Sequence, residues 1–78
     1  MTKIKKLHIG EEIRKQLAIQ KRPVSWLATE LGCDPSNFRK MLNKAYISTD
    51  LLYSISLILD WDFFACYSQL FLSEKHKG

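Results

Sequence analysis

The feature that most constrains this chain is a glycine at position 32, between two short segments with the apolar spacing of helices. The first segment, residues 24–31, ends directly before Gly32. The second opens at Asp34-Pro35, where aspartate caps a helix and proline fits its first position. A glycine just past a helix end adopts the left-handed conformation without steric cost. The pattern therefore predicts two helices joined by a tight turn.

Two helices joined in this way form a helix-turn-helix motif, which we place at residues 24–44. Two short helices that cross steeply need a small residue at their closest approach, and Ala28 supplies it. The second helix, predicted over Pro35–Lys44, docks by an apolar stripe that includes Phe38. We therefore expect Ala28, Gly32 and Phe38 to fix the geometry of the motif.

Three further helices are predicted around the motif. Apolar residues recur at every fourth position from Ile9, which predicts a first helix from about Gly10 to about Arg22. Ser48 opens a cap-like cluster before a fourth, strongly apolar helix. Asp62 is placed to cap a fifth helix, predicted over Phe63–Leu72. The expected fold is all-α, a compact domain of five helices.

The two ends of the chain are expected to lie outside the domain, which we place at residues 9–72. Residues 1–8 are basic and lack helical periodicity, so they are predicted to be a flexible arm. Residues 73–78 are predicted to be a polar tail that frays. His8 and His76 are expected to be solvated.

Charge is distributed unevenly along the chain, whose formal net charge is +4. Residues 1–44 carry ten Lys or Arg against four acidic residues, a net charge of +6. Residues 45–78 carry two Lys against four acidic residues, and residues 45–74 contain no Lys or Arg. A basic half joined to an apolar, mildly acidic half suggests a polyanion-binding surface and a separate packing surface.

The outer face of the predicted third helix, opposite Phe38, is polar or basic and contains no acidic residue. Arginine and lysine suit the O6 and N7 atoms of guanine, and asparagine suits adenine. This face favours contact with DNA. A second interpretation, a solvated helix face with no ligand, fits the same residues.

The stretch from Leu27 to Ser36 resembles the signature of the lambda-repressor-like, Cro-repressor-type (XRE) helix-turn-helix DNA-binding domains. Residues 48–55 are similar to the segment that opens their fourth helix, and residues 62–68 look like small Bacteroidetes members of the family. The resemblance implies a bacterial five-helix domain that binds DNA as a dimer, with its third helix in the major groove.

The resemblance also implies roles by position. Ser36, Asn37 and Lys40 match base-reading positions. Ser25 and Trp26 match positions that touch the phosphate backbone, as do Asn43 and Lys44. To these the charge pattern adds Arg39 as a base-reading residue and Arg22, at the end of the first helix, as a phosphate contact.

The function predicted from these features is a sequence-specific, double-stranded-DNA-binding regulator of transcription, with a repressor as the expected type. The alternative is a protein-interaction module, such as an antirepressor or a partner subunit, that keeps the fold without binding DNA. No nucleophile–base pairing or glycine-rich phosphate loop is evident, and Cys33 and Cys66 make no metal-ligand spacing with the histidines. We expect no enzymatic activity, cofactor, metal or small-molecule substrate.

Aromatic residues crowd the C-terminal third of the chain. A domain of 78 residues cannot easily bury all of them alone, so Phe64, Tyr67 and Phe71 are predicted to form a homodimer interface on the fifth helix. No apolar run is long enough to span a bilayer, and the N-terminus lacks a secretory leader. The two cysteines are expected to be reduced and buried, in a cytoplasmic protein without a membrane partner.

Overall fold

The computed structural model describes residues 7–76, and five α-helices follow one another in that range. Their bounds are α1 Ile9–Ile19, α2 Val24–Leu31, α3 Pro35–Leu42, α4 Thr49–Leu59 and α5 Phe64–His76. The all-helical, five-helix prediction is confirmed for these residues. Residues 1–6 of the predicted arm and residues 77–78 of the predicted tail lie outside the described part.

Side chains satisfy the free amides at the starts of four helices. Asp34, Ser48 and Asp62 each accept from amides two or three residues further on, so the predicted caps are confirmed. The cap of α1 is His8, whose Nδ1 accepts from the Glu11 N–H at 3.1 Å. The expectation that His8 is solvated is therefore wrong, because its ring belongs to the helix start.

The end of α2 has the geometry expected from its glycine. Gly32 adopts a left-handed φ of 73°. The N–H of Cys33 donates to the Ala28 carbonyl at 2.8 Å, and that of Gly32 donates to the Thr29 carbonyl at 3.0 Å. These two bonds define a Schellman motif, which satisfies carbonyls that the helix leaves free. Gly32 thus adopts the expected left-handed conformation, and Ala28 is fully buried.

Two more helices end in the same motif without a glycine. Lys21 follows α1 with a φ of 57°, and Asp60 follows α4 with a φ of 51°. The Arg22 N–H then donates to the Leu17 carbonyl at 2.9 Å. This left-handed residue ends α1 at Ile19, so the predicted extension to Arg22 is wrong.

The last two predicted helix ends also differ from those observed. The third helix stops at Leu42 and not Lys44, because the amides of Asn43 and Lys44 bond to carbonyls only three residues back. In the opposite direction, α5 continues to His76, so residues 73–76 are helical and do not form a polar tail.

The core is built by the first four helices and one residue of the last connection. Its buried apolar residues are Ile9, Ile13, Leu17, Leu27, Ala28, Phe38, Leu42, Leu52, Ile55, Leu59 and Phe63. No residue of α5 is buried. The predicted docking residue Phe38 is 1% exposed, which confirms that α3 packs through this face.

The helix α1 approaches the end of α3 closely at Gly10, near its own start. A Cβ atom added there would overlap the carbonyl oxygen of Leu42 and lie 2.7 Å from the carbonyl carbon. It would also lie 3.0 Å from the Lys44 carbonyl oxygen. Because these are backbone atoms at the end of α3, a side chain could fit only if α1 and α3 moved apart.

Within residues 7–76, no single helix is long and apolar enough to cross a membrane. The helices α4 and α5 reach the length and apolar composition of a membrane span only when they are counted together. The chain bends by 113° between them.

Gly10 and Gly32 differ in what limits a side chain at each position, and this gives a matched comparison. Gly32→Ala adds a Cβ into open space, so it should lower the free energy of unfolding only by the cost of a left-handed alanine, about 1 kcal/mol. Gly10→Ala should cost about 3 kcal/mol, because the new atom overlaps backbone. Urea unfolding measures both. Equal losses for the two variants would contradict the close approach of α1 and α3.

Candidate nucleic-acid interface

The helix α3 separates its side chains into an inner and an outer face. Phe38 and Leu42 are 1% and 0% exposed. The four predicted base-reading residues, Ser36, Asn37, Arg39 and Lys40, are all exposed. One helix thus presents hydroxyl, amide and cationic groups together on its outer face, each of which hydrogen-bonds base edges or phosphates in protein–DNA complexes.

The C-terminal end of α3 is held by the start of α1. The Arg14 guanidinium donates through Nη2 to the Arg39 carbonyl and to Oδ1 of Asn43, each at 3.2 Å. The Ile9 N–H donates to the Ala45 carbonyl at 3.1 Å. A cation at a helix C-terminus also meets the negative end of the helix dipole. These bonds fix the orientation of α3 relative to α1.

His8 makes a further bond at the end of α3. Its Nε2 lies 3.1 Å from the Asn43 carbonyl oxygen, while Nδ1 accepts from the Glu11 N–H. Since a carbonyl only accepts, this pairing requires the proton on Nε2 and none on Nδ1. The neutral ring therefore links the cap of α1 to the end of α3.

Arg14 and His8 were not predicted to contribute to the site. For Arg14 the sequence does contain a signal, because Gly10 lies four residues earlier and so shares its helix face. A glycine inside a helix, followed by a cation at this spacing, indicates a face against which another backbone packs closely. For His8 no comparable signal exists, because the bond to Asn43 is a tertiary contact.

The predicted phosphate-contacting residues fall into two groups. Asn43 and Lys44 follow α3 and are exposed, although Oδ1 of Asn43 already accepts from Arg14. The other three lie at the junction of α1 and α2. There the Arg22 guanidinium lies 4.1 Å from the centre of the Trp26 ring, a cation–π contact. Ser25 and Trp26 are half-buried. Within residues 7–76, no hydrogen bond joins Arg22, Ser25 or Trp26 to the pair that follows α3.

The predicted dimer residues lie on the part of α5 that the core does not cover. Phe64 is half-buried against the core, whereas Tyr67 and Phe71 are 38% and 63% exposed. The three share a helix face by their spacing. An exposed apolar face on a helix without buried residues is typical of a surface that another molecule covers.

Another face of α5 borders a cleft against α1 and contains Cys66. Both Cys33 and Cys66 are free and half-buried, so the expectation of full burial is wrong. Burial raises the pKa of the Cys66 thiol, and the carboxylates of Glu12 and Asp62 raise it further. A raised pKa keeps this thiol protonated and therefore poorly nucleophilic.

No protein-family model, no curated protein and no solved structure matches this chain.

The role of Arg14 can be tested by amide exchange. Arg14→Ala should lower the free energy of unfolding by about 1 kcal/mol and speed hydrogen exchange in the last turn of α3, since two acceptors lose their donor. Arg14→Lys keeps the charge but loses the planar guanidinium, so its effect should be intermediate. The neighbouring Lys15→Ala removes an exposed ion pair to Glu12 and should change little. Wild-type exchange rates in Arg14→Ala would show that the contact does not hold α3.

Proposed function

We propose that this protein is a sequence-specific regulator of transcription that binds double-stranded DNA with α3 in the major groove. The observation that carries the proposal is the exposed, acid-free outer face of α3, with Ser36, Asn37, Arg39 and Lys40 on one short helix. The resemblance of residues 27–36 and 48–55 to lambda-repressor-like domains supports the same function, and a repressor is the expected type.

The rigidity of α3 supports the proposal as well. A recognition helix must present its side chains in a fixed register, because base contacts are lost when the helix shifts by about 1 Å. The Schellman turn at Gly32 fixes the start of α3, and the bonds from α1 fix its end. Both ends of the outer face are therefore held by atoms of the same core.

Phosphate contacts are assigned to residues that flank this face. Lys44 and Asn43 follow α3, Ser25 and Trp26 lie at the start of α2, and Arg22 lies in the connection before it. The basic residues Lys3, Lys5 and Lys6 of the predicted arm add to the electrostatic part of the affinity.

We further propose that the protein binds its site as a homodimer through α5. Tyr67 and Phe71 supply the exposed apolar face, and Phe64 continues it toward the core. In this arrangement the two copies of α3 read two half-sites related by the dimer axis.

The DNA-binding proposal is tested by selecting bound sequences from a random duplex pool and then measuring affinity for the selected site. Asn37→Ala and Lys40→Ala should each weaken specific binding roughly 5- to 150-fold, the equivalent of about 1–3 kcal/mol for a lost base contact. Lys75→Ala, an exposed lysine on α5, is the matched control and should bind like wild type.

Non-specific duplex binding separates this function from the alternative of a protein-interaction module. Affinity should fall steeply between about 50 and 200 mM salt, and Lys44→Ala should reduce the slope by about one. A chain that selects no sequence and shows no salt-dependent affinity for random duplex would overturn the proposal.

The dimer is tested by sedimentation equilibrium at high micromolar concentration. Phe71→Glu should convert a dimer to a monomer, because the new carboxylate would be buried in the interface. The fold of the monomer should persist, since Phe71 is exposed in it. Leu72→Glu is the matched control, since Leu72 is also exposed, at 49%, but points to another side of α5. A strictly monomeric wild-type protein would rule out this part of the proposal.

A further inference from the structure

A groove of about 400 Å³ lies where α4 bends into α5. Its exposed wall consists of three large apolar side chains, Tyr53, Leu57 and Trp61, which are 57%, 64% and 49% exposed. Tyr53 and Leu57, four residues apart, share one face of α4, and Trp61 follows the left-handed Asp60 at the end of that helix. Isolated apolar residues are common on protein surfaces, but three in a row that line a groove mark a binding surface.

The groove also contains a polar group without a partner. Ser56 lines the groove, and its hydroxyl oxygen is buried without a hydrogen-bond partner within residues 7–76. A buried hydroxyl left unsatisfied costs free energy, so most such groups in folded proteins are paired. A polypeptide bound in the groove would bring backbone N–H and C=O groups to this oxygen.

The charges at the groove indicate what kind of polypeptide fits. Its only charged lining residues among those described are Asp60 and Asp62, and both are exposed. No described lysine or arginine lies within ion-pair distance of either carboxylate. Residues 45–74 contain no lysine or arginine. A cationic partner would gain electrostatic attraction here.

A second copy of this chain fits the same surface less well. In a two-fold dimer the same patch meets itself, so the aspartates of one copy would approach those of the other. Like charges that face each other across an interface are destabilising. The acidic rim therefore favours a different protein over self-association at this place.

We propose that this α4–α5 groove binds a segment of another protein in which one or two large apolar side chains are flanked by lysine or arginine. The apolar side chains pack against Tyr53, Leu57 and Trp61, the backbone satisfies Ser56, and the cations lie beside the aspartates. The proposal goes beyond DNA binding and does not depend on it, because the groove contains none of the residues assigned to base or phosphate contacts. Phe64, which continues the proposed dimer face toward the core, also lines the groove.

The experiment is a selection from a random peptide library on the folded full chain, followed by titration of the recovered peptides. The expected peptides carry a large apolar residue flanked by lysine or arginine, and they perturb the NMR signals of Tyr53, Leu57 and Trp61. Leu57→Asp should weaken their binding about tenfold or more. Ile19→Asp is the matched control, because Ile19 is an equally large and 71% exposed residue on α1, and it should bind like wild type.

Two further variants probe the polar features separately. Asp60→Asn with Asp62→Asn removes the charge but keeps residue types that suit a left-handed position and a helix cap, so the fold should persist and peptide affinity should lose its salt dependence. Ser56→Ala should leave the free energy of unfolding unchanged or raise it, yet weaken peptide binding a few-fold. This opposite response separates a binding role from a structural one.

Three results would overturn the proposal. The first is a selection that enriches no peptide, or peptides without basic residues. The second is undiminished peptide binding by Leu57→Asp. The third is concentration-dependent change in the Tyr53, Leu57 and Trp61 signals without peptide, because that would show a second copy in the groove.

Discussion

The backbone contact between Gly10 and the end of α3 is the constraint on which the arrangement of this molecule depends. With no Cβ at position 10, α1 lies directly against the Leu42 carbonyl. This contact brings the Arg14 guanidinium within hydrogen-bond range of the Arg39 carbonyl in α3, and the Ile9 amide within range of the Ala45 carbonyl just after α3. The carbonyls of Arg39, near the end of α3, and of Ala45, just after it, are thus satisfied by α1. A wider separation would leave those carbonyls unsatisfied and α3 free to shift.

The ends of the helices show what local sequence can and cannot predict. The side chains of the caps Asp34, Ser48 and Asp62 bond amides two or three residues away, so the residue types alone were enough to predict these helix starts. Gly32 was equally clear, because glycine favours the left-handed region. Asp60 occupies the same region, which aspartate tolerates, but lysine has no such preference, and Lys21 also lies there. The sequence therefore contained no signal for the end of α1, and the first helix was predicted too long.

The candidate interface was likewise predictable only in part from the sequence. Helical periodicity was enough to place Ser36, Asn37, Arg39 and Lys40 on one exposed face, because Phe38 fixes the buried side. The bonds that hold this face in position join residues 25 to 36 apart in the sequence. Such contacts depend on the crossing of two helices, so no local pattern predicts them. The stacking of Arg22 on Trp26 similarly depends on where the chain turns after α1.

The helix α5 is joined to the domain mainly at its start. Asp62 caps it and the buried Phe63 precedes it, while none of its thirteen residues is buried. A helix of this length is marginal in water without tertiary packing, so a molecule that covers Tyr67 and Phe71 would stabilise it by mass action. The position of α3 depends instead on α1. Dimerisation through α5 would therefore add a second α3 to the complex without changing the geometry of the first, and its effect on DNA affinity would come from linking two binding sites.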